Sequence, residues 1–372
     1  MEVFTYLWQY IVEVFGLFIA YVFAAIFIFL VLRQFHSKKI TAALVVVFIA
    51  VSIAFYIPNG VPNELAYPLS LKSYGPADAP NLPFKNVFHF FTNFKDFERI
   101  ENIARDPNEV PQTIVYGEDG MIEVSLTTTE VIAEMADGTT INYWTFDNGV
   151  PGPFIRGRVG DTVHLTIHND ATSLHPHNVD FHAVTGPGGG AAATIVAPGE
   201  TKEMTFKLLN PGLYVYHCAT PMVAQHISNG MYGMILVEPE GGLAKVDREF
   251  YVMQGELYTA QRHGTQGEAE FSLEKLLNEQ PEHLMFNGTH DALTKTHRME
   301  AKVGETVRIF FGVGGPNLTS SFHVIGEVFD RVYSQADLTS PPLKNVQTTS
   351  VAPGGATMVE FKVEAPGRYI LV

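Results

Sequence analysis

Cysteine occurs once in the 372 residues, so no disulfide can form within the chain and Cys218 is left free for other chemistry. Basic residues are also scarce. Against 39 Asp and Glu stand 24 Lys and Arg, giving a formal charge of −15 and a pI near 5.3. That balance argues against a nucleic-acid partner, which would need a basic face. Charge is nearly missing from the amino-terminal region. Phe4 to Leu32 holds one charged residue, Glu13, in 29 positions, and Ile40 to Ile57 holds none in 18. Each run is long enough to cross a bilayer. The start carries Glu2 rather than the basic residues of a secretory signal, and its apolar run far exceeds the roughly 7 to 15 residues of a signal core. An uncleaved α-helical transmembrane hairpin over residues 1–58 is therefore expected, in keeping with 27 phenylalanines and a mean hydropathy of +0.09. Arg33, Lys38 and Lys39 make the connecting loop basic, which assigns that loop to the cytoplasm and everything after Pro58 to the far side of the membrane. Trp8, Tyr10 and Tyr56 then fall near one outer interface. Glu13, an ionisable group inside a span, is a functional candidate, though it serves equally as a partner for another helix in a simple tether.

Residues 59–112 read as a connector. Pro58 to Pro83 is rich in Pro, Gly, Asn and Ser. Phe84, Phe88, Phe91, Phe94 and Phe97 then recur at helical spacing, predicting an amphipathic helix with an aromatic stripe. Beyond it the chain repeats itself. Val159-Gly-Asp-Thr-Val163 returns as Val303-Gly-Glu-Thr-Val307, and Pro211-Gly-Leu-Tyr214 as Pro366-Gly-Arg-Tyr369. Short alternating strands punctuated by Gly and Pro predict an all-β fold, a β-sandwich or Greek-key barrel, in two tandem copies, 113–240 and 241–372, with the boundary near Glu240-Gly-Gly242.

Two segments concentrate metal-ligand chemistry. Leu174 to Ala183 reads LHPHNVDFHA, and Tyr216-His217-Cys218 is followed by His226 and Met231. On extended backbone, side chains alternate between faces. His177 and His182 are an odd number apart and diverge, Asp180 and His182 share a face, and the neighbours His217 and Cys218 diverge. The simplest assembly sets His177 and Cys218 on one side and Asp180, His182 and His217 on the other. The first side, completed by His226 and Met231 in a Cys-x7-His-x4-Met run, offers two imidazoles, a thiolate and a thioether. That is the ligand set of a blue (type 1) copper centre. The second side, imidazoles and a carboxylate, suits a metal with open positions for a small molecule.

At these residues, and over about Glu101 to the end, the chain resembles the copper-containing nitrite reductases, which have cupredoxin-like barrels. The resemblance implies His177, Cys218, His226 and Met231 as type 1 copper ligands, His182 and His217 as two of three type 2 ligands, and Asp180 as the active-site acid. It implies His323, in Ser320-Ser-Phe-His-Val-Ile-Gly326, as a second catalytic residue and Ile325 as an apolar residue above the substrate. The implied reaction is one-electron reduction of nitrite to nitric oxide, the electron passing from type 1 to type 2 copper. The implied assembly is a homotrimer in which a neighbour's second domain supplies the third type 2 histidine, at a position just past Val372, where the chain is expected to continue. Ala104-Arg-Asp-Pro107 resembles the family's lead-in to its first domain. The membrane anchor, which would place the catalytic domains on the periplasmic side of the inner membrane near a quinol pathway, cytochrome c or cupredoxin donor, departs from most relatives.

Two rivals differ in chemistry. A two-domain multicopper oxidase needs several His-x-His pairs for a three-copper cluster, whereas the metal run here is His-x-x-Asp-x-His. A membrane-tethered blue-copper electron carrier would have no use for Asp180 and His323. The other histidines, among them His175, His263, His283 and His290, are expected on the surface or in packing.

Overall fold

The computed structural model describes residues 97–372, together with Ile26 and the short paired strands β1 (Glu64–Leu65) and β2 (Leu82–Pro83). The expected hairpin over 1–58 and all of the phenylalanine stripe but Phe97 lie outside the described residues. Among the described residues no helix is long and apolar enough to cross a membrane.

The first half is built from β3 (Glu98–Arg99), β4 (Ile122–Ala136), β5 (Thr139–Phe146), β6 (Ile155–Arg158), β7 (Thr162–Asn169), β8 (Asp180–Phe181), β9 (Thr201–Lys207), β10 (Gly212–His217), helix α1 (Val223–Ser228) and β11 (Tyr232–Glu238). The second half contains β12 (Arg248–Leu257), β13 (Gly267–Ala269), α2 (Leu273–Leu277), β14 (His283–Phe286), β15 (Thr306–Val313), β16 (Ser320–Ile325), β17 (Arg331–Tyr333), β18 (Thr348–Val351), β19 (Ala356–Lys362) and β20 (Ile370–Leu371). All-β, cupredoxin-like architecture results. In the first half β5, β4, β7 and β9 form one sheet and β6, β11, β10 and β8 the facing one.

The sequence repeat is a repeat of topology. β4 runs parallel to β7, which pairs antiparallel with β9; β12 runs parallel to β15, which pairs antiparallel with β19. Both Val-Gly-Asp/Glu-Thr turns use their glycine for the same reason. Gly160 (φ 95°) and Gly304 (φ 96°) occupy the left-handed region, where a side chain would be strained. Each donates its N–H back to the strand partner, Gly160 to the Leu208 carbonyl and Gly304 to that of Val363.

Strand alternation distributes the apolar residues over three cores. In β11, Ile235 and Val237 face the interior of the first half while Tyr232, Met234 and Leu236 face the second half. In β12, Phe250 and Val252 fill the second half and Tyr251 and Met253 meet the first. These strands are buried on both faces, so the shared core between the halves is as continuous as either interior. In β10, Leu213 and Val215 point to that shared core and Tyr216 points inward with Cys218. The strand that ends at His217 thus opens onto two environments.

Candidate metal centres

Alternation along β10 turns Cys218 into the first-half interior, fully buried, and its neighbour His217 to the opposite side. Helix α1 folds back after Met222, which is left-handed (φ 72°), and returns His226 to the cysteine. The Cys218 Sγ lies 3.3 Å from His226 Nδ1 and 3.9 Å from His177 Nδ1, and those two nitrogens are 3.2 Å apart. Met231 is buried in the same core, with its N–H bonded to the His226 carbonyl and its carbonyl accepting from the Cys218 N–H, each at 3.1 Å.

Glu130 orients this cluster, and sequence reading missed it. In β4, Ile122, Val124 and Leu126 face the first-half interior, whereas Val131, Ala133 and Met135 face the other core. Period two puts Glu130 inside, so a charge at a core position was the available signal. Its Oε1 accepts from the Leu174 and His175 N–H groups and from His177 Nε2 at 3.2 Å. Burial pushes the Glu130 carboxyl up, but His175 and His177 more than offset it and hold it well below the usual carboxylate range. An ionised carboxylate only accepts, so His177 carries a hydrogen on Nε2 and turns Nδ1 towards Cys218. Burial likewise pushes the Cys218 thiol up, yet the facing His226 and His177 hold it well below its ordinary value. His177 is driven down by burial and raised by its bonds to Cys218 and Glu130, to about 9. Two buried anions thus flank one imidazole, which suits a soft cation held by nitrogen and sulfur. Asn178 ties the segments together: its N–H points at Sγ (3.5 Å) and its Oδ1 accepts from the Ala219 N–H (2.6 Å). Trp144 covers the cluster, with ring centroids 4.6 Å from His226 and 5.8 Å from His177.

On the other side, β8 pairs with β10 so that Asp180 opposes His217 directly, which puts their side chains on one face. The His182 N–H bonds the Val215 carbonyl, and His182 Nε2 comes within 3.1 Å of His217 Nε2. His217 Nδ1 lies 3.0 Å from the Cys218 carbonyl, which can only accept. Its Nε2 lone pair therefore faces His182. Burial, then the neighbouring His217, lowers the His182 pKa, while Asp180 and a bond to the Gly354 backbone oppose the shift. Two lone pairs aimed at one point beside a carboxylate fit an imidazole-bound metal; two donors about 2.0–2.1 Å from one tetrahedral ion stand roughly 3.3 Å apart. The cluster opens on a cleft of about 290 Å³ lined by His182, His217 and Ile227 from the first half and Gly314, Pro316 and Gly354 from the second.

The clusters His177–Cys218–His226 and Asp180–His182–His217 thus stand back to back across one peptide unit. His323 and Ile325 lie apart from them on β16. His323 belongs to neither group, its Nδ1 donates to the Gln347 carbonyl, and its backbone pairs with Val372; Ile325 is 48% exposed. The one His-x-His pair, His175-Pro-His177, is divided: both rings bond Glu130, and His177 alone joins the sulfur cluster. A third group departs from the expectation of surface or packing roles. His263, His283 and His290 come together from separate segments, and no local motif in the sequence links them.

A family model described as multicopper oxidase matches residues 127–242. The chain is 51% identical over 273 residues to a copper-containing nitrite reductase of Neisseria meningitidis, covering 73% of this chain and 70% of that protein. It is 35% identical over 273 residues to one from Neorhizobium galegae, covering 69% of this chain and 72% of the relative. Among solved structures, a copper nitrite reductase from Nitrosomonas europaea superposes with a TM-score of 0.60 at 34% identity, over 68% of this chain and 88% of that one.

Proposed function

The chain belongs to the copper-containing nitrite reductase family, and from that premise we propose that its two back-to-back clusters divide electron entry from nitrite chemistry. It is an oxidoreductase that uses copper and forms nitric oxide from nitrite. His177, Cys218, His226 and Met231 would hold the type 1 ion, and His182 and His217 the type 2 ion together with a ligand from a neighbouring copy. Copper, when bound, supplies a one-electron couple at the sulfur-containing set and a Lewis acid with open positions at the imidazole set.

The residues do the rest. Cys218 and His217 are covalent neighbours, so one peptide unit is the electron's route between the clusters. Asp180, beside the two imidazoles, hands a proton to the bound substrate and His323 hands the second, in NO2− + 2H+ + e− → NO + H2O. His323 is not grouped with the Asp180 cluster within one chain, and in this reading a neighbouring second half delivers it. That delivery fits a homotrimer closed by heterologous contacts. Two proton-handling groups give a rate that falls on both the acid and the alkaline side. The reading includes two cupredoxin domains, 113–240 and 241–372. It also includes a two-helix anchor over 1–58 that holds them at the periplasmic face of the inner membrane, within reach of a quinol-linked, cytochrome or cupredoxin donor.

The observation that carries the proposal is the pairing of Asp180 opposite His217, which puts an acid in the imidazole cluster. A blue-copper carrier has no need of it. The test is nitric oxide release from nitrite by the reduced, copper-loaded protein. Asp180→Asn is expected to lower turnover by about 100-fold, within the range for a lost general acid, with the Cys218 colour unchanged. Equal turnover in the variant would sink the assignment.

A further inference from the structure

Three of the histidines that the copper chemistry leaves over form a site of their own. His283 Nδ1 lies 3.1 Å from His290 Nε2, and His263 completes a group in which one ring nitrogen from each histidine lies within 4.8 Å of the others. The ring centroids are 5.2 Å (His263 to His283), 5.0 Å (His263 to His290) and 5.2 Å (His283 to His290) apart, nearly an equilateral triangle. The copper clusters calibrate these distances. Centroids are 5.2 Å apart for His177 and His226 and 5.1 Å for His182 and His217, with facing nitrogens at 3.2 and 3.1 Å. The third group thus has the spacing of the two sets assigned to metal.

Charge pairing does not account for the cluster. His164, His175, His177 and His297 each approach a carboxylate within 4 Å, and none of the three clustered rings does so among the described residues. His263 is held from behind, since its backbone N–H donates to Glu282 Oε1 while Lys275 Nζ bonds Glu282 Oε2. His283 is buried at the start of β14, and the His290 N–H bonds the Met135 carbonyl of β4. Three converging imidazoles with no carboxylate within 4 Å of their ring nitrogens are donors for zinc-class ions.

We propose that His263, His283 and His290 form a third metal site, outside the two copper centres, which takes a divalent transition ion such as zinc with three imidazole nitrogens and an open fourth position. The site has a structural consequence. His263 rides on the strap between β12 and α2, whose β13 adds to the edge of the first-half sheet through Gly267–Ala269 and Thr139–Ile141. His290 is bonded to β4 of that sheet, so one ion fastens strap, β14 and first half together.

Zinc alone is the probe. The copper-loaded protein is dialysed against micromolar Zn(II), and zinc and copper per chain are counted by elemental mass spectrometry. One additional zinc with copper unchanged is expected. His263→Ala, at an exposed position that folding tolerates, and His290→Gln should each weaken zinc binding by at least tenfold, while His164→Ala should leave it unaltered. Amide exchange over residues 258–272 should slow on adding zinc to the wild type and not to the His263→Ala variant. Absence of zinc, zinc gained at the expense of copper, binding indifferent to both variants, or no protection of the strap would each overturn the site.

Discussion

Glu130 is the residue on which the sulfur cluster leans without touching its sulfur. One fully buried oxygen accepts two backbone N–H groups and the outer nitrogen of His177, fixing that ring's tautomer and direction. Glu130→Gln keeps the shape and removes the charge. Copper affinity at the Cys218 cluster should fall about 10- to 100-fold, followed as loss of colour in competition with a chelator; unchanged affinity would contradict the role. At this scale the sequence was legible wherever ligand types were ordered along the chain. Cys218, His226 and Met231 form such a run, and parity alone separated His177 from His182. Glu130 and Asn178 escaped because their partners lie about 40 residues or more away, and the His263 cluster escaped because it assembles from three separate segments.

Among elements, the glycine-rich turn Pro187–Gly190 carries the sharpest constraint. Gly188 (φ 70°) and Gly189 (φ 53°) are left-handed, and a Cβ on Gly189 would stand 1.8 Å from Asp180 Oδ1. Glycine is needed for close approach as well as for conformation. Gly189→Ala should displace the carboxylate and cut nitrite turnover by roughly 100-fold, the scale of a lost general acid. Because Cys218 lies on the other side of β10, its colour should persist, and loss of both together would contradict the separation of the two faces. The same region shows how a sequence inference can succeed on an incomplete premise. The alternation argument takes Leu174 to Ala183 as extended backbone, and in the structure only Asp180–Phe181 joins a ladder, with His177 in an isolated bridge to Val196. Extended backbone alternates its side chains with or without a ladder, so the assignment of faces survives.

For the whole molecule, the repeat in the sequence became two sheets of matching topology, whereas the core between the halves was not legible. β10, β11 and β12 are buried on both sides, and a strand's own pattern does not say which apolar face meets a second domain. An ion network crosses the same boundary: Arg156 pairs with Glu238 and with Glu249 of the second half, and Arg308 pairs with Glu249 and Glu360. All five side chains are nearly inaccessible. Arg308→Met leaves two buried carboxylates undercompensated and should lower unfolding free energy by about 3–5 kcal/mol, read from the denaturation midpoint and slope. A loss below about 1 kcal/mol would show that the network is solvated in solution.

The account rests on two copper sets that share one strand end and do not share ligands. Electron paramagnetic resonance with copper counting on the wild type, Cys218→Ser and His182→Ala tests this directly. The wild type should show two coppers per chain with two distinct signals; Cys218→Ser should lose only the coloured centre and His182→Ala only the other. One copper per wild-type chain, or both signals lost together in either variant, would contradict the back-to-back arrangement.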